Sequence, residues 1–410
     1  MFRAAQIWFI YELTGSTLYL GAAGAATAAP GIIFNLLGGV FADRLNKRLL
    51  VMTTQAANAC LIFFLAFLTV LDMVQPWHIL IIVFLSGAVE AFDTPARQAI
   101  YPHLIDRRVM MSAVALNSVV WSGNRIVAPA FAGFLIAVTN METVFFVAGF
   151  GFVAMALVML FLKVPAIPRG SRGNPLQDML EGLRFIKDNT IISFLIGMTF
   201  FNSFFGMAYV FMIPVFAQDH FGLGAGEYGM LVGVGGVGSL AVNFWLGTRS
   251  SINTKARFII GGAVMFGVAL ISLGLTAVLI GSYHLALVIL CAMGMFTSLY
   301  MISIQSTLQM MVPDRVRGRV MGFYGMTWSI MPLGGTQAGA LANIGAIGAP
   351  GAVIIGGLAV AAFALGPALF NRKIRNLDAA PEQDPPQPGA GNPSIETAPA
   401  HADADDNAND

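Results

Sequence analysis

Apolar runs long enough to cross a bilayer recur along almost the whole of this chain. They are Leu18–Ala42, Leu49–Leu71, Trp77–Ala96, Met111–Val138 and Thr143–Leu162, then, after a polar stretch, Ile191–Ala217, Tyr228–Gly247, Phe258–Ile280, Leu285–Met311, Val320–Ile344 and Ala349–Phe370. A spanning helix needs about 20 mostly apolar residues, so each run predicts one membrane-crossing helix. Without water to satisfy the backbone, a lipid-embedded chain is restricted to helices or closed barrels, and runs of this length select helices. Of the 22 Lys and Arg, all but Arg3 and Arg125 fall within 44–48, 97–108, 163–187, 249–257, 315–319 and 372–375. These are alternate loops, and the loops between them hold no Lys or Arg. This is the positive-inside pattern, which predicts that the charged loops and the C-terminus lie in the cytoplasm. It supports the number of spans independently, because one missed or invented helix would scramble the alternation.

Composition agrees. Only 10% of the 410 residues are charged and 57% are hydrophobic, against about 25% charged in a soluble domain. The 45 glycines and 22 methionines suit close helix packing in lipid. A net charge of +1 without a basic domain excludes nucleic acid as the expected partner. Cys60 and Cys291 lie inside apolar runs and the five histidines are scattered, so neither a disulfide framework nor a metal site is predicted.

Ahead of the first full run, "MFRAAQIWFIYEL" precedes Thr14-Gly15-Ser16. Thirteen helical residues reach only about 20 Å of a core about 30 Å thick, so this segment reads as the second half of a helix. A signal peptide is the rival reading, but Glu12 to Ser16 interrupt the apolar patch and the following alanines run on into a full span. Residues 174–189 carry Leu176, Met179, Leu180, Leu183 and Ile186 at helical spacing with charges between them, predicting an amphipathic helix at the cytoplasmic face. Residues 378–410 are rich in Pro, Ala and Asp and predict a disordered tail. The halves repeat: Asp106-Arg107 aligns with Asp314-Arg315, and Gly39 with Gly247, since 314 − 106 = 247 − 39 = 208. One offset for two landmarks suggests a duplicated six-helix unit. The expected division is an N-terminal bundle over 1–163, a cytoplasmic linker over 164–190, a C-terminal bundle over 191–370 and a tail over 371–410.

Gly39-Val-Phe-Ala-Asp43-Arg44-Leu-Asn46-Lys47-Arg48 resembles the G-x-x-x-D-R-x-G-R-K signature of the major facilitator superfamily. Asn46 replaces a glycine, a change that its tolerance of left-handed geometry would accommodate. The second copy, from Gly247, has Ser251 where Asp43 aligns. "YELTGS", "FDTPARQAIYPHLI", "AVALNSVVWSGNRIVAPAFAG" and "VPDRVRGRVMGFYG" together resemble the enterobactin-exporter-like branch, over nearly everything from Met1 to Phe370. In that branch a fuller first helix precedes "YELTGS", so the resemblance implies a shortened first helix here. It also implies an all-helical fold of two pseudo-symmetric six-helix bundles that rock about a central site. The signature loop would clamp the bundles at the inner face.

In such a fold, polar residues deep in the spans are the binding and coupling candidates. Arg125 lies well inside its run, where an unpartnered Arg costs about 2.5–3.5 kcal/mol on insertion scales. Glu90 and Asp93 are its nearest carboxylates by sequence, although Asp93 could instead pair with Arg97 four residues on. "RIVAPAFAG" resembles the fifth-helix antiporter motif G-P-x-x-G-G, keeping Pro129 and Gly133 while Ala128 and Ala132 replace glycines. The resemblance associates that motif with exporters that run as antiporters. Asn117 and Asn124, with Asn58, Asn202, Asn243 and Gln305, are either cavity residues or interhelical hydrogen-bonders. Phe200, Phe201, Phe204 and Phe205 are either a substrate wall or lipid-facing. Asp314, Arg315, Arg317 and Gly318 form the second-half loop.

Enzyme templates fail: there is no phosphate loop with lysine and no nucleophile elbow. "GVGGVGS" at 233–239 imitates a dinucleotide fingerprint but lies inside a span, where packing glycines are the better reading. The expectation is a proton-driven secondary exporter of a small amphipathic molecule, siderophore or drug-like, in the cytoplasmic membrane, monomeric, with no cofactor. Uptake of a nutrient or lipid on the same fold and a non-transporting membrane protein are the alternatives.

Overall fold

The computed structural model describes residues 1–44, 46–100, 110–162, 175–248 and 256–371. Within these, the side chains at 35–44, 99, 110–119, 121–122, 125–126, 175–178, 314–315 and 368 lie outside the description. The described chain holds helices and no strand. In order, α1 is Phe2–Thr14, α2 Thr17–Arg44, α3 Lys47–Val70, α4 Pro76–Ile100, α5 Met110–Val138 and α6 Met141–Phe161. A short helix, α7 (Pro175–Asp188), leads to the second half. There α8 (Thr190–Phe201) and α9 (Tyr209–Val215) are joined and extended by π-turns at Asn202–Gly206 and Phe216–His220. Then follow α10 (Ala225–Gly247), α11 (Gly262–Leu279), α12 (Tyr283–Met311), α13 (Asp314–Ser329), α14 (Met331–Ala342) and α15 (Gly348–Phe370).

Local chemistry ends these helices where the sequence changes character. Gly15 takes φ +58°, and its N–H closes on the Tyr11 carbonyl at 2.7 Å, stopping α1 as a left-handed glycine typically does. Asn46 works differently from the expectation. Its φ is −66°, and its side chain accepts from the N–H groups of Arg48 (3.1 Å) and Leu49 (3.3 Å). It therefore caps α3 rather than standing in for a left-handed glycine. Arg48 then donates through Nε to the Met159 carbonyl at 2.7 Å and through Nη2 to that of Leu160, placing a cation on the exposed end of α6.

Nine helical stretches among the described residues are long and apolar enough to cross a membrane. The span predicted over Val320–Ile344 is divided at Ile330 into α13 and α14, of 16 and 12 residues. The short helix α7 lies at the charged-loop end. Glu181 pairs with Arg319 of α13 at 2.7 Å, while Leu180 and Leu183 stay exposed, as suits a helix resting on a lipid interface.

Glycines set the spacing within the second half. A methyl group on Gly294 of α12 would fall 1.8 Å from the Gly235 carbonyl oxygen of α10. Ser239 donates to the Gly294 carbonyl at 3.0 Å. The dinucleotide-like stretch is thus a helix-packing surface.

The two halves meet chiefly along two helix pairs, α2 with α14 and α5 with α10. Both contacts lie at the end away from the charged loops, and both are backbone-close. A methyl on Gly24 would lie 2.4 Å from the Pro332 carbonyl oxygen, and one on Gly339 2.7 Å from the Cα of Gly21. A methyl on Gly133 would lie 2.7 Å from the Cα of Gly229. Toward the charged-loop end, several glycines of α5 and α13 lack such close neighbours. Gly123 on α5 and Gly318, Gly322 and Gly325 on α13 have open space within 4 Å of where a Cβ would stand.

Candidate functional site

Between the halves lies a chamber of about 370 Å³. Its walls come from both bundles: Phe2, Ile7, Ala23 and Val83 from the first, Val210, Phe211, Tyr228 and Trp328 from the second. A second chamber of about 300 Å³ lies closer to the charged loops, lined by Gly31, Glu90, Ala91 and Thr94 among others. The two share Arg3, Thr27, Trp328 and Pro332 and so form one path from the charged-loop end into the centre.

Polar groups on this path are few. Arg3 pairs through Nη2 with Oε2 of Glu90, and both side chains remain about half exposed, at 47% and 45%. Gln6 and Ser86 line the larger chamber, are 3% and 4% exposed, and have no hydrogen-bond partner for Nε2 and Oγ. Asn124 lines the same chamber, as does Pro129. Arg3, Gln6 and Ser86 were not singled out by sequence. The available signal was that Arg3 stands outside the alternating basic loops.

Among the described residues, the two carboxylates near Arg125 in sequence have these partners, while the Arg125 side chain itself lies outside the description. Glu90 pairs with Arg3. Asp93, 2% exposed, pairs with Arg97 at 2.7 Å and accepts from Thr54 Oγ1 at 2.8 Å and Gln55 Nε2 at 3.0 Å. That cluster binds α3 to α4 and satisfies a charge that burial would otherwise penalise heavily. The side chains of Gly39, Asp43, Arg44, Asn117, Arg125, Asp314 and Arg315 lie outside the described residues. Lys47 is buried, and Arg317 donates through Nε to the Val312 carbonyl at 3.2 Å.

Of the remaining amides, Asn58 and Asn202 are buried and Gln305 is exposed. The four phenylalanines line neither chamber. Phe201 stacks on Phe363 at 3.9 Å and Phe200 on Phe204 at 6.0 Å.

The far end of the path is sealed by side chains as well as glycines. The Tyr11 hydroxyl of α1 donates to Oδ2 of Asp219 at 2.5 Å, joining one half to the other. Just inside, Tyr228 of α10 donates to the Ala4 carbonyl at 3.1 Å and packs its ring 4.9 Å from that of Trp8.

Many apolar spanning helices, two glycine-packed halves and a central chamber between them define a multi-pass membrane transporter of the major facilitator fold. Solved structures agree on the fold. A bacterial homologue of the human lysosomal transporter Spinster, in an inward-facing and unoccupied conformation, superposes with TM-score 0.61 at 16% identity, covering 92% of this chain and 96% of that one. The nucleoside transporter NupG gives TM-score 0.66 at 14% identity, over 89% and 93%.

The chain belongs to the transmembrane secretion effector family, which it matches over residues 1–396. It is 25% identical to the staphyloferrin A transporter of Staphylococcus aureus, over 80% of this chain and 81% of that protein. It is 24% identical to macrolide efflux protein A of Streptococcus pyogenes, over 81% and 82%. It is also 24% identical to the enterobactin exporter EntS of Shigella boydii, over 83% and 79%. The family and these relatives are transporters, not enzymes.

Proposed function

We propose that this transporter is a proton-driven secondary exporter of a small amphipathic molecule, acting as a monomer in the cytoplasmic membrane by alternating access. Residues 1–163 and 191–370 act as the two rocking bundles, 164–190 as the linker and 371–410 as a cytoplasmic tail. One observation carries the reading. The chamber between the halves is shut by close glycine contacts at the end away from the charged loops, while glycines toward those loops stand in open space. With the charged loops in the cytoplasm, such a chamber is accessible from inside in this conformation, which supports loading from that side. Its walls mix aromatic and aliphatic surface with a few polar groups, as an amphipathic solute requires. The relatives named for staphyloferrin A, macrolide and enterobactin transport point the same way.

Moving one charge through 100 mV supplies about 2.3 kcal/mol, enough for substantial concentration without ATP. Coupling falls to Glu90 and Arg125, which lie on the helices that line the chambers. The test is accumulation of candidate compounds by energised inside-out vesicles. The expected result is uptake that a protonophore abolishes. Failure to accumulate any compound, or accumulation indifferent to the protonophore, rejects proton-driven export.

A further inference from the structure

Arg3 is the one charged side chain among the described residues lining the larger chamber, whereas its partner Glu90 lines only the smaller one. The pair is made through a single nitrogen, Nη2, to a single oxygen. That leaves Nε and Nη1 of a half-exposed guanidinium outside the pair, on a residue that lines both chambers. Two further donors on the same wall, Gln6 Nε2 and Ser86 Oγ, are buried and unpartnered. Buried polar groups without partners are costly, and since the guanidinium and amide nitrogens donate and the hydroxyl can donate, one acceptor would satisfy all three. A guanidinium fork with two neutral donors matches the two oxygens of a carboxylate. Phe211, Tyr228 and Trp328 offer aromatic surface for the rest of the solute.

We propose that Arg3, Gln6 and Ser86 form a specificity site for a carboxylate carried on an apolar body. The incoming carboxylate engages the free edge of Arg3 while Glu90 holds the guanidinium in place from the other chamber. The proposal rests on the chamber being the transport site, and it fails separately from export. Vesicles that pump nothing would reject export while leaving the binding preference below intact, and lost preference would leave export intact.

The test is equilibrium binding to the purified full chain in lipid nanodiscs, with 2-naphthylacetate and its primary amide as the matched probes. The two differ at one group, and a charge-assisted contact at that group is expected to favour the acid about tenfold or more. Arg3→Gln should bring the ratio of affinities near one while amide binding persists. If Arg3→Gln does not fold, the double variant Gln6→Leu with Ser86→Ala replaces it, and the ratio should fall several-fold. Equal binding of acid and amide by the unaltered chain, including no binding of either, overturns the proposal. So does a preference that survives in whichever variant folds.

Discussion

Tyr11 and Asp219 stand 208 positions apart and touch, hydroxyl to carboxylate, at 2.5 Å. The same offset aligns Gly39 with Gly247 and Asp106 with Asp314, so under the duplication that this offset suggests, the bond joins equivalent positions. It sits on the sealed end and couples the halves directly. Removing the donor with Tyr11→Phe should cost about 1.5–3 kcal/mol, the usual worth of a hydrogen bond to a charged group, less what solvent returns to the exposed Asp219. The outward-open population should rise about tenfold. Pulsed electron-spin distances between labels on Thr139 and Phe221 would read it as a growing long-distance component. An unchanged distribution would show that the bond seals nothing.

The glycine contacts should be less forgiving. A methyl on Gly133 would strike the backbone of Gly229 and Ala225, and overpacking of this kind costs about 1–3 kcal/mol. Gly133→Ala should therefore open the sealed end about 5- to 150-fold, judged by the same labels. Gly123→Ala, which meets no atom within 4 Å, should leave the distances as they are. Equal behaviour of the two variants would refute a glycine-built seal.

Asp93 should matter to folding more than to transport. Its carboxylate receives Arg97, Thr54 and Gln55, and breaking a buried pair costs about 3–5 kcal/mol. Because Arg97 is half exposed, the lower part of that range applies. Asp93→Asn should lower the melting temperature in detergent by several degrees, with transport per folded molecule preserved. A variant that melts normally yet transports poorly would move Asp93 into the coupling machinery.

Asp43→Asn should do the reverse. The signature loop from Gly39 to Arg48 is expected to clamp the inner face, and its second copy from Gly247 lacks the acid, with Ser251 in its place. Loss of one charged contact there should slow export about 10-fold or more at unchanged protein level, measured as initial rates in vesicles. Unaltered rates would reduce the stretch to a topological anchor.

Span positions were legible because a bilayer imposes a length, and length with low charge can be counted along a chain. The boundary predicted at Met111–Val138 lies within one residue of α5 for that reason. The break at Ile330 was not legible, since Met331-Pro332 marks a possible break without showing whether the helix continues past it. The chamber was less visible still. Sequence spacing offered Glu90 and Asp93 as the nearest carboxylates to Arg125, whose side chain lies outside the described residues, and gave no sign that Arg3 reaches Glu90 from a helix 87 positions away. Partners on different helices are chosen by packing, which no periodicity within one helix encodes. Gln6 and Ser86 look ordinary in an apolar run, and only a shared wall brings them together.

The meeting of Tyr11 with Asp219 has an evolutionary side. In an isologous interface, a residue on the two-fold axis faces its own copy. Two identical halves would set tyrosine against tyrosine or aspartate against aspartate here, and the second would repel. A donor facing an acceptor at this point requires two copies free to differ. Fusion into one chain supplies that freedom, so under the duplication that the 208-residue offset suggests, this latch belongs to a stage after the halves began to diverge.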